Sequence, residues 1–296
     1  MVAQSEGRKD SVRTRVADWL FKSLWVWESR RNDVKVDVYR KMIWPEISGK
    51  VLDLGPGFAK SLKFLSHATA ADGTHAVDPA VISGYTALEP NPFLYAKLHR
   101  NAQENGFAVR YDPASCPEGA GRDTRAATKK EDEEEEEEEE GAVPFTIVRG
   151  TLDDAGRIPQ AVLDGAPYDT VLTSFSMCTV RDPEATVANI VRLLRPGGKY
   201  VFIEHVLQPD VGDPHVVDDT GRVDVRFWAR VQNLINPLWR AIGHGCNINR
   251  RTGDIIAGAR GWESVDYRSV RPVIDLQSRI MPLSFGIARK AAKAAE

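Results

Sequence analysis

The chain has 296 residues, 42% of them hydrophobic, with seven Trp, enough to bury one large core with appendages. Its formal charge of −3 is uneven: without the acidic run from Glu131 to Glu140 the balance is +7, yet no compact Lys/Arg block marks a nucleic-acid surface. The three cysteines (Cys116, Cys178, Cys246) are far apart and odd in number, which argues against a disulfide framework and a Cys-x-x-Cys metal site. No run of about 18 apolar residues and no signal-peptide h-region is present, so the expected setting is reducing and cytoplasmic, without a membrane span.

In chain order, residues 1–48 read as an N-terminal helical cap. Val12, Val16, Trp19, Leu20, Leu24 and Trp27 fall at helical spacing, and Ser11 is placed to cap the first helix. Trp19, Trp25, Trp27 and Trp44 give this stretch a heavy aromatic load. They suit packing on the following domain, a lid over a ligand pocket with Trp25 against the acceptor, or an amphipathic helix in peripheral contact with a membrane.

Residues 49–296 read as one α/β domain. Val51 to Leu54 is a short aliphatic strand, and Gly55-Pro56-Gly57 follows it. Glycine lacks Cβ, so the backbone turns sharply here and a ligand can approach the peptide. Ser61 to Leu65 reads as the opening of a helix. Strand, glycine turn and helix together open a nucleotide-binding unit. After an irregular stretch from Ser66 to Gly84, read as a surface insertion, Glu89 closes the next strand, where it can accept the two hydroxyls of a ribose.

A helix follows from Pro92 to Asn105, stopped by Gly106. Residues 113–141 read as a disordered acidic insertion, because dense like charges repel and bury no apolar surface. Strands follow at Pro144–Arg149, Tyr168–Phe175 and Lys199–His205, with a helix at Pro183–Leu194 ended by Arg195-Pro-Gly-Gly198. Residues 207–250 form an insertion with a helix from Val223 to Arg240, and Gly261–Val270 and Ser284–Ala288 complete the sheet as an antiparallel pair. Alternating strands and helices predict a parallel sheet covered on both faces, with ligands at the carboxyl ends of the strands, where Gly55, Glu89, Thr151, Ser174 and Glu204 fall.

Val51-Leu-Asp-Leu-Gly-Pro-Gly57, Glu89 and Leu194-Arg-Pro-Gly-Gly198 resemble a class I S-adenosylmethionine-dependent methyltransferase. Glu89-Pro-Asn-Pro-Phe93, Ser176-Met-Cys-Thr-Val180, Glu204-His-Val206 and Asn236-Pro-Leu-Trp239 with Gly245-Cys-Asn247 narrow the likeness. In order, they are similar to the methyltransferase-like thiol S-methyltransferases, relatives of the ubiquinone/menaquinone methyltransferases. The resemblance spans about Gly49 to Ala288 and implies a Rossmann-like, seven-stranded sheet and S-adenosyl-L-methionine as cofactor. Two departures stand out: Phe58-Ala59 follows Gly57 where the family has a third glycine, and Thr151 stands where an acid is frequent. The family's apolar membrane anchor is also not evident, so membrane residence is not carried over.

The resemblance implies roles residue by residue. Asp53, Gly55, Pro56 and Gly57 border the methionine end of the cofactor, and Glu89 holds the ribose, with Pro90 and Asn91 beside the adenosine. Thr151 and Leu152 flank adenine, and Ser174 and Phe175 line the site. Phe227, Trp228 and Trp239 form an apolar acceptor wall, for which ordinary core packing is the competing reading. Methyl transfer to a neutral acceptor needs positioning and removal of a proton. A thiol, with a pKa of about 8.5, needs only a modest shift. His205 and His244 are the candidate catalytic residues; no metal cluster is visible, and none is expected. The first-choice acceptor is a small thiol. Alternatives are O- or N-methylation of a natural-product or quinone-like ring, and a non-catalytic cofactor-binding scaffold using the acidic loop. The oligomeric state stays open.

Overall fold

The computed structural model describes residues 36–69, 75–115, 142–153, 158–210, 213–216, 224–243, 245–270 and 280–292. Trp25, His244 and the acidic run therefore lie outside the described residues, as does most of the expected cap.

The strands form where aliphatic residues alternate between two buried faces. In β1 (Gly49–Leu54), Val51 packs on one side of the sheet and Leu52 on the other. In β7 (Tyr168–Ser174) Leu172 and Val171 divide the same way, and in β8 (Leu194–His205) Val201 and Ile203 oppose Phe202. Both faces are covered, as expected of a largely parallel sheet. On the first face lie helix 36–43 and α1 (Tyr95–Gln103), which contribute Val36, Ile43, Leu98 and Ala102. On the second lie α2 (Gln160–Gly165), α3 (Pro183–Leu193) and α5 (Thr252–Gly258), through Val162, Val187, Ile190, Leu193 and Ile256. α3 begins where Asp182 accepts a hydrogen bond from the Ala185 N–H at 2.9 Å, with Pro183 at the first helical position.

The remaining strands are β4 (Ile82–Leu88), β5 (Phe107–Tyr111), β6 (Val143–Val148), β9 (Trp262–Val270) and β10 (Leu283–Lys290). The main sheet has eight strands, in the order β5-β6-β4-β1-β7-β8-β10-β9. β1 runs parallel to β4 and β7, β7 to β8, and β6 to β4 and β5. β10 is antiparallel to both neighbours. The carboxyl ends of β1, β4, β6, β7 and β8 thus share one edge of the sheet.

Three expectations change. The sheet has eight strands rather than seven, because Phe107–Tyr111 adds a parallel edge strand beyond β6. The predicted helix after the glycine loop is only a 3₁₀ turn, Lys60–Phe64. Ala59 precedes it with φ of 49°, a left-handed conformation that interrupts regular helix entry. The stretch read as an irregular insertion contains a two-stranded sheet, β2 (His67–Thr69) with β3 (His75–Val77). In addition, the start of the expected acidic insertion is ordered: Pro113–Ser115 is a 3₁₀ turn, and Ser115 Oγ donates to Asp112 at 2.6 Å and accepts from the Arg149 N–H at 2.8 Å.

Gly286 sits mid-strand in β10 because the neighbouring strand lies too close for a side chain. A Cβ there would lie 2.3 Å from the Asp266 carbonyl oxygen and 2.6 Å from Tyr267 Cα. Gly286→Ala is expected to destabilise the fold by about 1–3 kcal/mol through this overpacking. A urea-unfolding midpoint equal to that of the wild type would contradict this packing.

Candidate active site

At the carboxyl end of β1 the chain turns through Gly55 (φ 64°) and Gly57 (φ 61°), conformations that disfavour residues with a Cβ. A Cβ on Gly55 would also meet Ser176 Cβ at 2.9 Å. The Gly55 N–H donates to the Leu88 carbonyl at 2.9 Å, so the loop stays registered against β4. Phe58 turns inward and is buried, while its carbonyl accepts from Asn101 Nδ2 at 2.6 Å.

Glu89 is 4% exposed at the end of β4. Its Oε2 accepts from the Gly57 N–H at 3.0 Å, and its Oε1 accepts from the Asn91 N–H at 2.8 Å. One carboxylate therefore holds both the β1 and β4 loops. A carboxylate offers about four acceptor positions, enough to hold two amides and a ribose diol together. Asn91 caps the next turn through its Oδ1, which accepts from Phe93 N–H at 3.0 Å, and its buried Nδ2 has no partner among the described residues. Pro90 is half-buried between Glu89 and Asn91.

At the end of β7, Ser174 Oγ accepts from Arg40 of helix 36–43 at 3.3 Å. Asp37 of that helix bridges Arg40 and Lys63, each at 3.0 Å. The helix is thereby tied to both the β7 end and the turn after the glycine loop, a contact sequence reasoning missed although Arg40 and Asp37 lie one turn apart. Phe175 adopts φ 62° and places its ring 4.5 Å from that of His205. Asp53 is buried; its Oδ2 accepts from the Tyr85 hydroxyl at 2.6 Å and its Oδ1 has no partner among the described residues. Thr151 lies exposed and donates to Asp153 at 2.5 Å, whereas Leu152 is buried and its carbonyl accepts from Asn189 at 2.8 Å.

Burial pushes the Asp53 carboxyl up to about 7. The same cause raises Glu204 to about 7; its Oε1 accepts from the Ser176 N–H at 3.2 Å. For a carboxyl whose folded pKa is raised, the folded state holds the proton longer than the unfolded chain, so stability falls as pH rises between the two values.

A second cluster lies beside His205, made of three side chains that could ligate a metal and that their spacing in the sequence does not group. Cys178, in the loop after β7, and Cys246, in the loop after α4 (Val225–Ile242), have their sulfurs 3.2 Å apart. Cys246 Sγ is 4.0 Å from His205 Nδ1, and the ligand atoms of all three lie within 4.8 Å of one another. The shared hydrogen bond holds Cys246 well below the usual thiol range and Cys178 well above it, and His205 and the Trp239 indole lower Cys246 further. With the cysteines 68 positions apart, only the fold brings them together. Of the expected acceptor wall, Trp239 packs on this cluster, whereas Phe227 is 50% exposed and meets the partly buried Trp228 edge-on at 5.2 Å.

The glycine loop, the buried acid closing the adjacent strand and the carboxyl-edge location together define a class I methyltransferase frame. A model of the methyltransferase domain matches residues 27–266, and the chain belongs to that family. Human thiol S-methyltransferase TMT1A is 27% identical over 135 residues, 46% of this chain and 45% of that protein. Human thiol S-methyltransferase TMT1B is 28% identical over 139 residues, 47% of this chain and 48% of that one. The matches thus span about half the length of these curated relatives. Among solved structures, a SAM-dependent methyltransferase from Thermotoga maritima aligns with a TM-score of 0.47 at 13% identity, covering 94% of this chain and 100% of that one. No helix among the described residues is long and apolar enough to cross a membrane.

The residues present fit S-adenosylmethionine. The glycine cradle, the Glu89 carboxylate and the buried Ser176 Oγ and Asn91 Nδ2, which have no partner among the described residues, are polar features suited to a nucleoside with an amino-acid tail. Glu89→Ala is expected to weaken S-adenosylhomocysteine binding by at least about tenfold, read by titration calorimetry, since removing a buried acceptor also loosens the loop. Unchanged affinity in a folded variant would contradict the assignment.

A pH series tests the buried acids separately. Wild-type stability should fall as pH rises from about 4 to about 7, and Asp53→Asn should flatten that slope by up to ~1.4 kcal/mol per pH unit. A slope identical in the variant would mean that Asp53 titrates normally.

Proposed function

We propose that the protein transfers the methyl group of S-adenosylmethionine to a small thiol. The observation that carries the acceptor choice is the soft, partly apolar surround of His205: Phe175, Cys178, Cys246 and Trp239 converge at the carboxyl ends of β7 and β8. Such a surround favours a polarisable sulfur over a strongly hydrated amine or alcohol. The partial likeness to human TMT1A and TMT1B, named thiol S-methyltransferases, supports the same choice.

S-adenosylmethionine supplies an electrophilic sulfonium methyl. The protein's part is to hold it by Glu89 and the glycine loop, to seat the acceptor sulfur in line with the methyl carbon, and to help the acceptor lose its proton. With Glu89 and the glycine loop holding the cofactor, its sulfonium would supply the methyl group to the acceptor sulfur and would keep the electron pair of the broken bond as S-adenosylhomocysteine. The thiol proton leaves to solvent. His205, half-buried at the end of β8, is the activating group in this reading, with His244 a second candidate outside the described residues. Helix 36–43 borders the same edge through Arg40, which donates to Ser174.

Incubation with S-adenosylmethionine and a panel of small thiols, phenols and amines is expected to release S-adenosylhomocysteine with thiols. His205→Ala is expected to lower kcat by about 10²–10⁴-fold while leaving cofactor binding intact. Release only with phenols or amines would favour O- or N-methylation and overturn the thiol assignment.

A further inference from the structure

Cys178, His205 and Cys246 arrive from three separate parts of the fold. Cys178 sits in the turn between β7 and α3, His205 ends β8, and Cys246 follows α4. Their positions are fixed by the backbone around them. The Cys178 carbonyl accepts from the Asn247 N–H at 2.8 Å, the Cys246 N–H donates to the Gly243 carbonyl at 3.0 Å, and the Phe175 N–H donates to the Ile203 carbonyl at 2.9 Å. Arg250 clamps the Cys178 turn, donating to the Met177 carbonyl at 2.5 Å and the Val180 carbonyl at 3.0 Å. Two thiols and an imidazole are thus held together before any ligand arrives.

We propose that Cys178, His205 and Cys246 form a zinc site of three protein ligands, with a fourth position that takes the acceptor sulfur. The donor set argues for the metal: two thiolates and an imidazole suit a borderline-soft cation such as Zn²⁺ and poorly suit Mg²⁺ or Ca²⁺, which take oxygen. The distances agree with it. Two Zn–S bonds of about 2.3 Å at a tetrahedral angle put the sulfurs roughly 3.8 Å apart, against 3.2 Å here, so the pair opens by about 0.6 Å. The corresponding sulfur–nitrogen separation is roughly 3.5 Å, against 4.0 Å between Cys246 and His205. Charge also balances, because two thiolates neutralise a dication in a buried place where net charge is expensive.

The open position follows from burial. Both cysteines are buried and His205 is half-exposed, so the cluster is reached from the His205 side, at the carboxyl edge of the sheet where the cofactor is held. Three protein ligands with one position left for water or substrate is the pattern of catalytic rather than structural zinc. An acceptor thiol entering that position loses its proton to water and binds as thiolate, the form that attacks the methyl carbon. This second part rests on the thiol reading above; the metal site itself does not. It makes His205 a ligand rather than a proton carrier.

The full-length protein, purified under a phosphine reductant without chelator, should contain one zinc per chain by elemental analysis. After metal removal, titration with Co²⁺ should give thiolate-to-cobalt charge-transfer absorption and the intense visible bands of a tetrahedral site. Cys178→Ser, Cys246→Ser and His205→Ala should each weaken Co²⁺ binding by more than about a hundredfold. A thermal shift with S-adenosylhomocysteine, retained in the variants, shows that they fold. A small aliphatic thiol should alter the visible bands of the wild type. Sub-stoichiometric metal in the wild type, or cobalt bands surviving in the cysteine variants, overturns the site. Cobalt bands indifferent to added thiol overturn the open fourth position. Bands that respond to thiol without any thiol methylation support the metal site and overturn the acceptor assignment.

Discussion

The buried carboxylate of Glu89 is the contact on which the site depends. By accepting the Gly57 N–H with one oxygen and the Asn91 N–H with the other, it fastens the loops after β1 and β4 to each other. Neither loop has regular secondary structure to hold it, and both contain backbone amides that burial would leave costly if unpaired. Charge-assisted bonds to one carboxylate hold them. The same carboxylate is the proposed partner of the ribose, so loop geometry and cofactor affinity are expected to change together. The tie of helix 36–43 to Ser174 and Lys63 then places that helix against the same edge.

Around that fixed edge, buried polar groups are arranged in two zones. Asp53, Glu89 and Asn91 lie by β1 and β4, on the cofactor side. Glu204, Cys178 and Cys246, with the half-buried His205, lie by β7 and β8. The second zone is softer and more apolar, with Phe175 and Trp239 against sulfur and imidazole. The first zone suits a charged sulfonium nucleoside, and the second suits the small polarisable nucleophile proposed as acceptor.

Much of this was legible in the residues. Val51–Gly57, Glu89 and the strand-helix alternation gave the parallel sheet and its ligand edge, because period-two aliphatic patterns and glycine breaks report local geometry directly. β5 was missed because Phe107–Tyr111 is a five-residue edge strand next to a low-complexity stretch, where a short alternating pattern stands out little. The helix after the glycine loop was over-read: Lys60–Phe64 has helical composition, but the left-handed Ala59 and the compact β2–β3 pair leave it one 3₁₀ turn. The Cys178–His205–Cys246 cluster was invisible for a different reason. No spacing rule connects residues whose meeting depends on the β7–β8 pairing and on the chain's return after α4. The Cys in Gly245-Cys-Asn247 and the one in Met177-Cys-Thr179 were the available signal, and only the fold turns them into a pair.

The most direct test of the central claim is a crystal structure of the complex with S-adenosylhomocysteine. The ribose hydroxyls are expected within hydrogen-bond distance of Glu89, the amino-acid tail beside Gly55 and Gly57, and the sulfur facing His205 across the ends of β1 and β7. A nucleoside bound elsewhere, or a Glu89 carboxylate that keeps its two backbone bonds and makes no contact with the ribose, would contradict it.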